Sequence, residues 1–228
     1  MKNDLISVVM SVFNAQDSLD ESISSILNQD YSNIELLLLD DSSTDKSFEI
    51  MHNFKNLDHR VKIYKNNINL GLTRSLNFLI SKSSGKFIAR QDADDISLPK
   101  RFSKQLNVMQ NKNIQICTSR AFIKNTDKKI PGVSDYLPTK LVIKYKNPFI
   151  HGTLMIKKSL MESYKCYDEK FHFAQDYELF YRMLKNGEKI IKLKEPLYIL
   201  NMEDNISTIN SEQQKKYARI ARRNHKSN

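Results

Sequence analysis

An α/β fold, with a mostly parallel sheet and helices on both of its faces, is predicted by the pattern of the first 95 residues. Four short apolar runs indicate strands: residues 5–10, 34–39, 61–64 and 86–90. Segments with apolar residues at helical spacing lie between them: residues 17–28, 44–54 and 71–81. Because the apolar runs are continuous, both faces of the sheet must be covered, and strands that alternate with helices form parallel sheets.

The pattern becomes less regular in the second half of the chain. Helical spacing predicts helices at residues 99–110, at residues 174–186 and from Ser211 onward, with Gly187 ending the second of them. Further strands are predicted at residues 114–119, 121–124, 149–156, 189–193 and 197–200. The prolines and the glycine of residues 125–148 predict a loop-rich segment.

Composition indicates one globular domain in a reducing compartment. The 228 residues lie near the upper end of single-domain sizes, and 40% of them are apolar while 27% are charged. The two cysteines, Cys117 and Cys166, are too few for a disulfide scaffold and lack metal-ligand spacing, which favours the cytosol. The apolar run from Leu5 to Phe13 is too short to cross a bilayer and lacks a cleavage site, so we predict a buried first strand.

Positive charge is concentrated at the C-terminus. The net charge is +10, and residues 215–226 contribute six basic side chains and no acidic one. A solvated tail is one interpretation. Contact with an anionic membrane surface is another, because Tyr217, Ile220 and Ala221 lie at helical spacing opposite the charges. Nucleic acid is not an expected partner, since aromatic and basic residues are not interleaved as in a stacking platform.

Three aspartates follow the fourth apolar run, at Asp92, Asp94 and Asp95. Like charges this close raise one another's proton affinity unless a cation compensates. In an extended segment Asp92 and Asp94 point the same way, and hard cations such as Mg²⁺ or Mn²⁺ prefer oxygen ligands of this kind. The alternative is a solvated acidic turn that leads into the helix near Pro99. Polar groups after the other strands favour a site, because ligands of parallel sheets bind beyond the carboxyl ends of the strands.

The turns after the first strands indicate what such a site binds. Neither G-x-G-x-x-G nor G-x-x-x-x-G-K-[ST] occurs, which disfavours dinucleotide cofactors and P-loop use of ATP. A carboxylate at Asp40 or Asp41, after the second strand, can accept hydrogen bonds from a nucleobase imide or a ribose hydroxyl. The alternative is helix capping by Asp41, Ser42 or Ser43, with Asp45 in the first turn.

An ordered set of motifs resembles the family 2 glycosyltransferases of GT-A fold. The motifs are SVVMSVFN at residues 7–14, SILNQDY at residues 25–31, ELLLLDDSSTD at residues 35–45, NLG at residues 69–71, DADD at residues 92–95 and AQDYEL at residues 174–179. The resemblance covers about residues 5–207. It implies a GT-A-type, Rossmann-like nucleotide-binding sheet and an inverting transfer of a sugar from a nucleotide-diphosphate sugar, with a UDP-sugar as the expected donor.

The resemblance also implies partners and an internal division of the chain. The expected acceptor is a glycan or a polyprenyl-diphosphate-linked acceptor in the synthesis of a cell-surface polysaccharide. We expect a single domain at residues 1–210, with a nucleotide-sugar half at about residues 1–95 and an acceptor half at about residues 96–210. Residues 211–228 form a basic helical tail, through which a cytoplasmic protein is expected to contact the inner face of the plasma membrane.

The residues expected on the donor side by resemblance are Val12, Asn14, Asp41, Gly71, Arg74 and Asp92. Asp41 contacts the nucleobase, with Val12 and Asn14 lining the same pocket. Gly71 and Arg74 belong to the turn and the helix after the third strand. Arg74 is expected to assist the diphosphate, and a surface arginine is the alternative.

The chemistry is assigned to three aspartates by resemblance. Asp92 and Asp94 match the family's DxD element, with Asp94 as the ligand of Mn²⁺ or Mg²⁺ and Asp92 facing the ribose. A metal held there neutralises the diphosphate leaving group. Asp176 matches the family's general base, and the alternative is a first-turn aspartate that stabilises a helix through its dipole. The family's acid before the base is Gln175 here, so Asp176 is expected to be a slightly weaker base.

Met202 is a second departure from the family pattern, which often has a histidine there. A thioether is a poor ligand for a hard cation, so the metal is expected to rely on Asp94, diphosphate oxygens and water, or on Glu203 or Asp204. His151 is a candidate acceptor-side residue, and a structural histidine is the alternative. The departures motivate a second hypothesis, a catalytically silent subunit that binds nucleotide sugar. A nucleotidyltransferase is a third.

Overall fold

The computed structural model describes residues 3–202 and 210–224. Its strands are β1 (Ile6–Val12), β2 (Ile34–Asp40), β3 (Val61–Lys65), β4 (Phe87–Arg90), β5 (Ile96–Ser97), β6 (Ile116–Ile123), β7 (Lys129–Ile130), β8 (Met155–Lys157) and β9 (Ile190–Leu200). Its helices are α1 (Leu19–Leu27), α2 (Ser47–Leu57), α3 (Leu72–Lys82), α4 (Arg101–Asn111), α5 (Thr139–Val142), α6 (Lys158–Ser163), α7 (Gln175–Lys185) and α8 (Ser211–Asn224). The strands form one sheet in the order β3-β2-β1-β4-β8-β6-β9-β5, with β7 paired to β6.

The first four strands are parallel, as the sequence predicts. β1 pairs with β2 on one side and with β4 on the other, and β2 pairs with β3. The register sets Val12 beside Asp40, so β1 and β2 end at the same level. The turns that follow these strands therefore emerge together at one edge of the sheet, which is where a ligand of a parallel sheet binds.

Two hydrophobic cores cover the opposite faces of the sheet. One contains Val9 and Leu37 together with apolar side chains of α3, α7 and α8. The other contains Val8 and Leu36 together with apolar side chains of α1, α2 and α4. Neighbouring residues of one strand belong to different cores because side chains alternate across a sheet. The predicted helices on both faces are confirmed.

Beyond β4 the sheet is mixed. β8 is antiparallel to β4 and to β6, and β5 is antiparallel to β9, whereas β6 and β9 are parallel. The prediction of a mostly parallel sheet therefore holds for the first half only. The chain reaches β8 through the irregular residues 131–154 and not through a crossover helix, which parallel neighbours require.

Several predicted strand boundaries need correction. The strands predicted at residues 114–119 and 121–124 are one strand, β6, and those at residues 189–193 and 197–200 are one strand, β9. Their pairing shifts register around Arg120 and Pro196, because a proline cannot donate to the ladder. The strand predicted at residues 149–156 was wrong in its first part, since His151–Thr153 is a 3₁₀ turn and β8 begins at Met155. A short apolar run does not distinguish a strand from a buried turn.

The C-terminal helix α8 is packed against the rest of the fold. Ala221 is fully buried in the core, and Tyr217 and Ile220 are partly buried beside it. The apolar face of α8, which the sequence suggested as a membrane contact, therefore packs against the protein. The basic residues Lys215 and Arg219 remain exposed. In the described part of the chain, no helix combines the length and the apolar character needed to cross a bilayer.

Candidate active site

The predicted aspartates lie on the connection from β4 to β5, which we call the aspartate loop (residues 91–95). The Asp92 side chain is 31% exposed and pairs with the guanidinium of Arg90, which is 1% exposed. The backbone amide of Asp92 donates a hydrogen bond to the Tyr198 hydroxyl at 3.1 Å. A buried cation and a fixed backbone therefore hold the Asp92 carboxylate in one position at the edge of the sheet.

A second buried arginine supports the start of this loop. Arg101, on α4, donates to the backbone carbonyl of Arg90 at 2.7 Å, to the side-chain oxygen of Gln91 at 3.0 Å and to the Ser97 hydroxyl at 2.8 Å. Burial lowers the pKa of Arg101 to about 10, which still leaves it charged near neutral pH. These hydrogen bonds compensate the cost of burying the charge.

Asp95 is a structural member of the aspartate loop. It is 2% exposed, and its Oδ1 accepts a hydrogen bond from the backbone amide of Asn201 at 2.7 Å. Burial and the negative charges of Asp92 and Asp94 raise its pKa well above the ordinary value. Asp95 thus ties the loop to the segment after β9.

Asp94 is a partly buried carboxylate whose charge is poorly compensated. Burial and the charge of Asp92 raise its pKa to about 6, and the cations Arg90 and Lys124 offset this only in part. A cation bound there would stabilise the ionised form. No group of three His, Cys, Asp or Glu side chains that could hold a metal occurs among the described residues. The donor set fits a Mg²⁺ or Mn²⁺ ion that takes one or two carboxylates and shares the substrate's phosphates.

Asp41 organises the loop that begins α3. Its Oδ1 accepts hydrogen bonds from the backbone amide of Leu70 at 2.9 Å and from Nδ2 of Asn66 at 2.7 Å. Its Oδ2 accepts one from the backbone amide of Gly71 at 2.8 Å. Each carboxylate oxygen has two acceptor positions, so Oδ2 keeps one for another donor.

The ends of β1 and β2 are interlocked. The backbone amide of Asp41 donates to the carbonyl of Val12 at 2.8 Å. Asn14 has a left-handed backbone with φ of +49°, and its Oδ1 accepts a hydrogen bond from the backbone amide of Thr44 at 2.9 Å. Asp45 accepts a hydrogen bond from the backbone amide of Ser47, the first residue of α2. The N-cap position of α2 is Lys46, so the predicted capping by Asp41, Ser42 or Ser43 with Asp45 in the first turn was wrong: Asp45 precedes the helix, and Asp41 anchors the loop before α3.

Gly71 and Arg74 lie at the start of α3. Gly71 has φ of +84°, and a Cβ added there would meet nothing within 4 Å, so the backbone conformation, not the available space, requires glycine. The Nε of Arg74 lies 3.4 Å from Oε2 of Glu169, and both side chains are half exposed. An ion pair this exposed does little to fix Arg74.

Asp176 is brought to the site by the first turn of α7. Its Oδ2 accepts a hydrogen bond from Nδ2 of Asn147 at 2.7 Å. Burial raises the pKa of Asp176, and the negative charge of Asp92 raises it further, while the hydrogen bonds from Asn147 and the Tyr177 backbone lower it. Asp92 and Asp176 are far apart in the sequence, yet their charges interact. A carboxylate with a raised pKa is a stronger base near neutral pH.

The segment before α7 is anchored to α3. The Thr73 hydroxyl donates to the Phe171 carbonyl at 2.8 Å, and Nδ2 of Asn77 donates to the Tyr167 carbonyl at 3.0 Å. Ala174, directly before α7, has φ of +54°, a left-handed conformation that non-glycine residues rarely adopt. The helix that begins at the Asp41 loop thus also positions the start of α7.

Gln175 precedes Asp176 in the sequence, and His151 contacts Tyr167, whose pKa is raised in part by the charge of Asp176; neither His151 nor Gln175 is an exposed side chain. The Nε2 of His151 is 2.7 Å from the Tyr167 hydroxyl. Burial and the positive charge of Arg90 lower the pKa of His151 well below its ordinary value, so its ring is neutral. Gln175 is 7% exposed.

Met202 follows β9 and is 44% exposed. Its thioether is therefore a surface group at the end of the described segment. Glu203 and Asp204, the substitutes for a metal ligand that the sequence suggested, lie outside the described residues.

Several residues that support the site were not singled out from the sequence, among them Arg90, Asn147 and Tyr198. The role of Arg90 could have been predicted, because a charged residue at the end of a buried strand needs a partner of opposite charge, and the aspartates follow it closely in the sequence. The roles of Tyr198 and Asn147 could not have been predicted, since they depend on contacts with residues far away in the sequence.

The site and its sequence match a known family. The family model described as Glycosyl transferase family 2 matches residues 7–182. The chain belongs to glycosyl transferase family 2. The resemblance to family 2 glycosyltransferases that the sequence motifs indicated is therefore confirmed. The match covers the Asp41 loop, the aspartate loop and the start of α7.

Relatives of this family 2 chain come from several bacteria. It is 32% identical over 198 residues to the putative glycosyltransferase EpsE of Bacillus subtilis, covering 85% of this chain and 71% of EpsE. It is 36% identical over 193 residues to the O-antigen biosynthesis glycosyltransferase WbnJ of Escherichia coli, and the alignment covers 82% of this chain and 74% of WbnJ. It is 28% identical over 189 residues to the Escherichia coli UDP-Glc:alpha-D-GlcNAc-diphosphoundecaprenol beta-1,3-glucosyltransferase WfaP, covering 82% and 72%.

Solved structures confirm the fold class. S. aureus TarS in complex with UDP-GlcNAc superposes with a TM-score of 0.79 at 17% identity, over 95% of this chain and 65% of that chain. The mannosyltransferase PcManGT from Pyrobaculum calidifontis, in complex with GDP-Man and Mn²⁺, superposes with a TM-score of 0.72 at 15% identity. This superposition covers 92% of this chain and 60% of the PcManGT chain. The family 2 chain thus spans less than two thirds of the length of these solved chains, with which it shares the GT-A fold.

Proposed function

We propose that this family 2 glycosyltransferase moves a sugar from a nucleotide-diphosphate sugar, a UDP-sugar, to an acceptor hydroxyl with inversion at the anomeric carbon. The observation that carries the proposal is the match of residues 7–182 to the glycosyl transferase family 2 model, because this match covers the Asp41 loop, the aspartate loop and the start of α7. The donor-side carboxylate of Asp92 and the candidate base Asp176 are proposed to act on opposite sides of the anomeric carbon, as a displacement with inversion requires.

The proposed donor pocket is built from the ends of β1 and β2. Asp41 offers the free acceptor position of Oδ2 to the nucleobase imide, between Val12 and the exposed Asn14. Gly71 lets the backbone turn into α3 beside it. Asp92, oriented by Arg90, faces the ribose. Arg74 exchanges its exposed partner Glu169 for the diphosphate.

The proposed metal site centres on Asp94. Asp94 would hold a Mg²⁺ or Mn²⁺ ion there, and such an ion would supply positive charge to offset the charge of the diphosphate leaving group. The raised pKa of the Asp94 carboxyl favours such an ion, because binding a cation relieves the repulsion from Asp92. The Mn²⁺ and GDP-Man of the PcManGT complex support the same type of site.

Asp176 is the proposed general base. It accepts the proton from the acceptor hydroxyl as that oxygen bonds to the anomeric carbon and the bond to the diphosphate breaks. Burial raises its pKa towards the working pH, and Asn147 fixes the orientation of its carboxylate. The buried Gln175 and the neutral His151 help to position the acceptor side.

The proposed acceptor is a glycan or a polyprenyl-diphosphate-linked sugar in the synthesis of a cell-surface polysaccharide. Two relatives support this class, because WbnJ is a glycosyltransferase of O-antigen biosynthesis and WfaP glucosylates a diphosphoundecaprenol-linked GlcNAc. Such an acceptor lies at the inner face of the plasma membrane, where a cytoplasmic enzyme meets it as a peripheral protein. The exposed basic side chains of α8 are a proposed contact with anionic lipids.

The exposed Met202 and the neutral Gln175 favour one alternative, a silent subunit that binds donor without turnover. Analysis of products from a panel of UDP-sugars with Mn²⁺ tests the proposal. Release of a nucleoside diphosphate with sugar transfer or hydrolysis is the expected result. Donor binding without any product would indicate the silent subunit, and release of pyrophosphate would indicate a nucleotidyltransferase.

A further inference from the structure

We propose that the segment from residue 136 to residue 146 is a docking surface for an anionic lipid bilayer. It carries four exposed apolar or aromatic side chains, which we call the membrane patch: Tyr136, Leu137, Leu141 and Tyr145. The role of this surface in presenting a lipid-linked acceptor rests on the proposed function, whereas lipid binding itself does not.

The patch is highly exposed. Its side chains are exposed by 79% (Tyr136), 57% (Leu137), 52% (Leu141) and 82% (Tyr145). Leu141 and Tyr145 are four residues apart in α5 and the turn after it, where the amide of Tyr145 donates to the carbonyl of Val142 at 2.9 Å, whereas Tyr136 and Leu137 precede α5. Val142 and its neighbour Ile143 are buried. The segment therefore anchors one side in the protein and turns the patch outward.

The charge around the patch selects an anionic lipid surface. Lys140, Lys144 and Lys146 are exposed beside it. No acidic residue occurs from Tyr136 to Met161. This composition is typical of an interfacial membrane contact. Leucine side chains enter the acyl-chain region, tyrosine rings lie at the level of the headgroups, and lysine side chains contact the lipid phosphates. A typical protein-binding surface is depleted in lysine, which disfavours that occupant.

The membrane patch is connected directly to the proposed base. Asn147, the residue after the patch segment, donates to Asp176 at 2.7 Å. The carbonyl of Ile143 accepts a hydrogen bond from the Tyr177 hydroxyl, next to Asp176 in sequence. A bilayer on this surface would therefore lie on the acceptor side of the site, where the hydroxyl of a lipid-linked acceptor must reach Asp176.

The basic helix α8 lies beside the same surface. Arg222 donates to the Tyr145 carbonyl at 3.4 Å and to the Tyr177 hydroxyl at 3.3 Å. The patch and the basic side chains of α8 are thus neighbours, and the patch supplies the apolar component that the packed face of α8 cannot supply.

Vesicle flotation with the full chain, without donor, tests the proposal. The vesicles are phosphatidylcholine alone, or phosphatidylcholine with one third phosphatidylglycerol. We expect binding to the anionic vesicles only, reduced about tenfold or more in the double variant Leu141→Ser and Tyr145→Ser, because two exposed anchors are removed. The matched control is Leu57→Ser, which removes a leucine that is 82% exposed elsewhere on the surface. It should bind like the parent chain.

Equal vesicle binding by the parent chain and the double variant would overturn the proposal. So would a dimer in sedimentation velocity that the double variant abolishes, because a second copy would then cover the patch. An unchanged unfolding temperature of the variant verifies that it folds. If vesicle binding depends on the patch and no sugar transfer is found, the proposed function fails and the membrane surface stands. If transfer is found and vesicle binding does not depend on the patch, only the membrane surface fails.

Discussion

At the scale of single residues, the contact between Asn147 and Asp176 decides how the proposed base behaves. Asp176 is partly buried and interacts with the negative charge of Asp92, and both effects raise its pKa. The hydrogen bond from Asn147 opposes them, because it stabilises the ionised carboxylate. The balance sets the pH at which Asp176 becomes ionised and able to accept a proton.

Replacing Asn147 with alanine removes the opposing hydrogen bond. The pKa of Asp176 should then rise further, so the acid limb of the kcat–pH profile should move to higher pH. A base must be ionised to act, and the variant therefore loses activity first on the acidic side. At the alkaline plateau the loss should stay below about tenfold. Asn53→Ala, on the exposed surface of α2, is the control, and an unmoved acid limb in Asn147→Ala would contradict the assignment.

Asp94 is the second residue whose ionisation matters. Its folded-state pKa of about 6 lies above the ordinary value, so ionisation disfavours the folded state as the pH rises through about 6. Mn²⁺ should reverse this by binding the ionised carboxylate. We expect Mn²⁺ with UDP to raise the unfolding temperature more at about pH 7.5 than at about pH 5.

Asp94→Asn should lose most of the Mn²⁺-dependent part of that shift. Asp127→Asn, in an exposed loop, is the matched control and should keep it. A full Mn²⁺-dependent shift in Asp94→Asn would mean that the metal is bound elsewhere. Calorimetry with UDP alone separates metal binding from nucleotide binding.

The candidate site residues could be predicted from the sequence only where they belong to a family motif. The aspartate loop and Asp176 were recognised because their neighbours in sequence form family motifs. The pairing of Asp92 with Arg90 and the contact of Asp176 with Asn147 depend on tertiary geometry, and no local pattern encodes the second of these. The same limit applies to Asp95, which looks like its neighbours in sequence but is buried against the amide of Asn201.

At the scale of elements, the parallel strands were predictable and the irregular segments were not. β1, β2 and β4 are predominantly apolar, whereas β3 contains two lysines, and the boundaries of all four strands lie within two residues of the predicted ones. The turn at His151–Thr153 looked like a strand because it is apolar on both sides. Its backbone is fixed instead by Gly152, where an added Cβ would collide with the Tyr198 hydroxyl. Such a close approach is invisible in one sequence.

The helix α8 was predicted as an element but not as a packed one. Ala221 is fully buried, so Ala221→Glu should place an unpaired charge in the core. We expect a loss of at least about 2 kcal/mol, or about 4–8 °C in the unfolding temperature for a chain of this size. Gln213→Glu, which also adds one negative charge but at an exposed position of the same helix, should cost less than about 0.5 kcal/mol. Equal unfolding temperatures of the two variants would show that α8 does not pack in solution.

At the scale of the whole molecule, the sheet edge collects groups from both halves of the chain. The ends of β1 and β2 form the proposed donor pocket, and the aspartate loop forms the proposed metal site. The start of α7 carries the proposed base, held by α3 and by Asn147. The membrane patch and α8 border the acceptor side. A donor bound at the strand ends and an acceptor carried by a bilayer would thus approach the site from different sides.

The rate of sugar transfer by Asp176→Asn tests the central claim most directly. The variant keeps the shape of the side chain but cannot accept the proton, so kcat should fall by about 10²–10⁴ while the affinity for UDP with Mn²⁺ is retained. Asp168→Asn, in the loop before α7, is the control and should keep the parent rate. A kcat for Asp176→Asn equal to that of the parent chain would contradict the proposed mechanism.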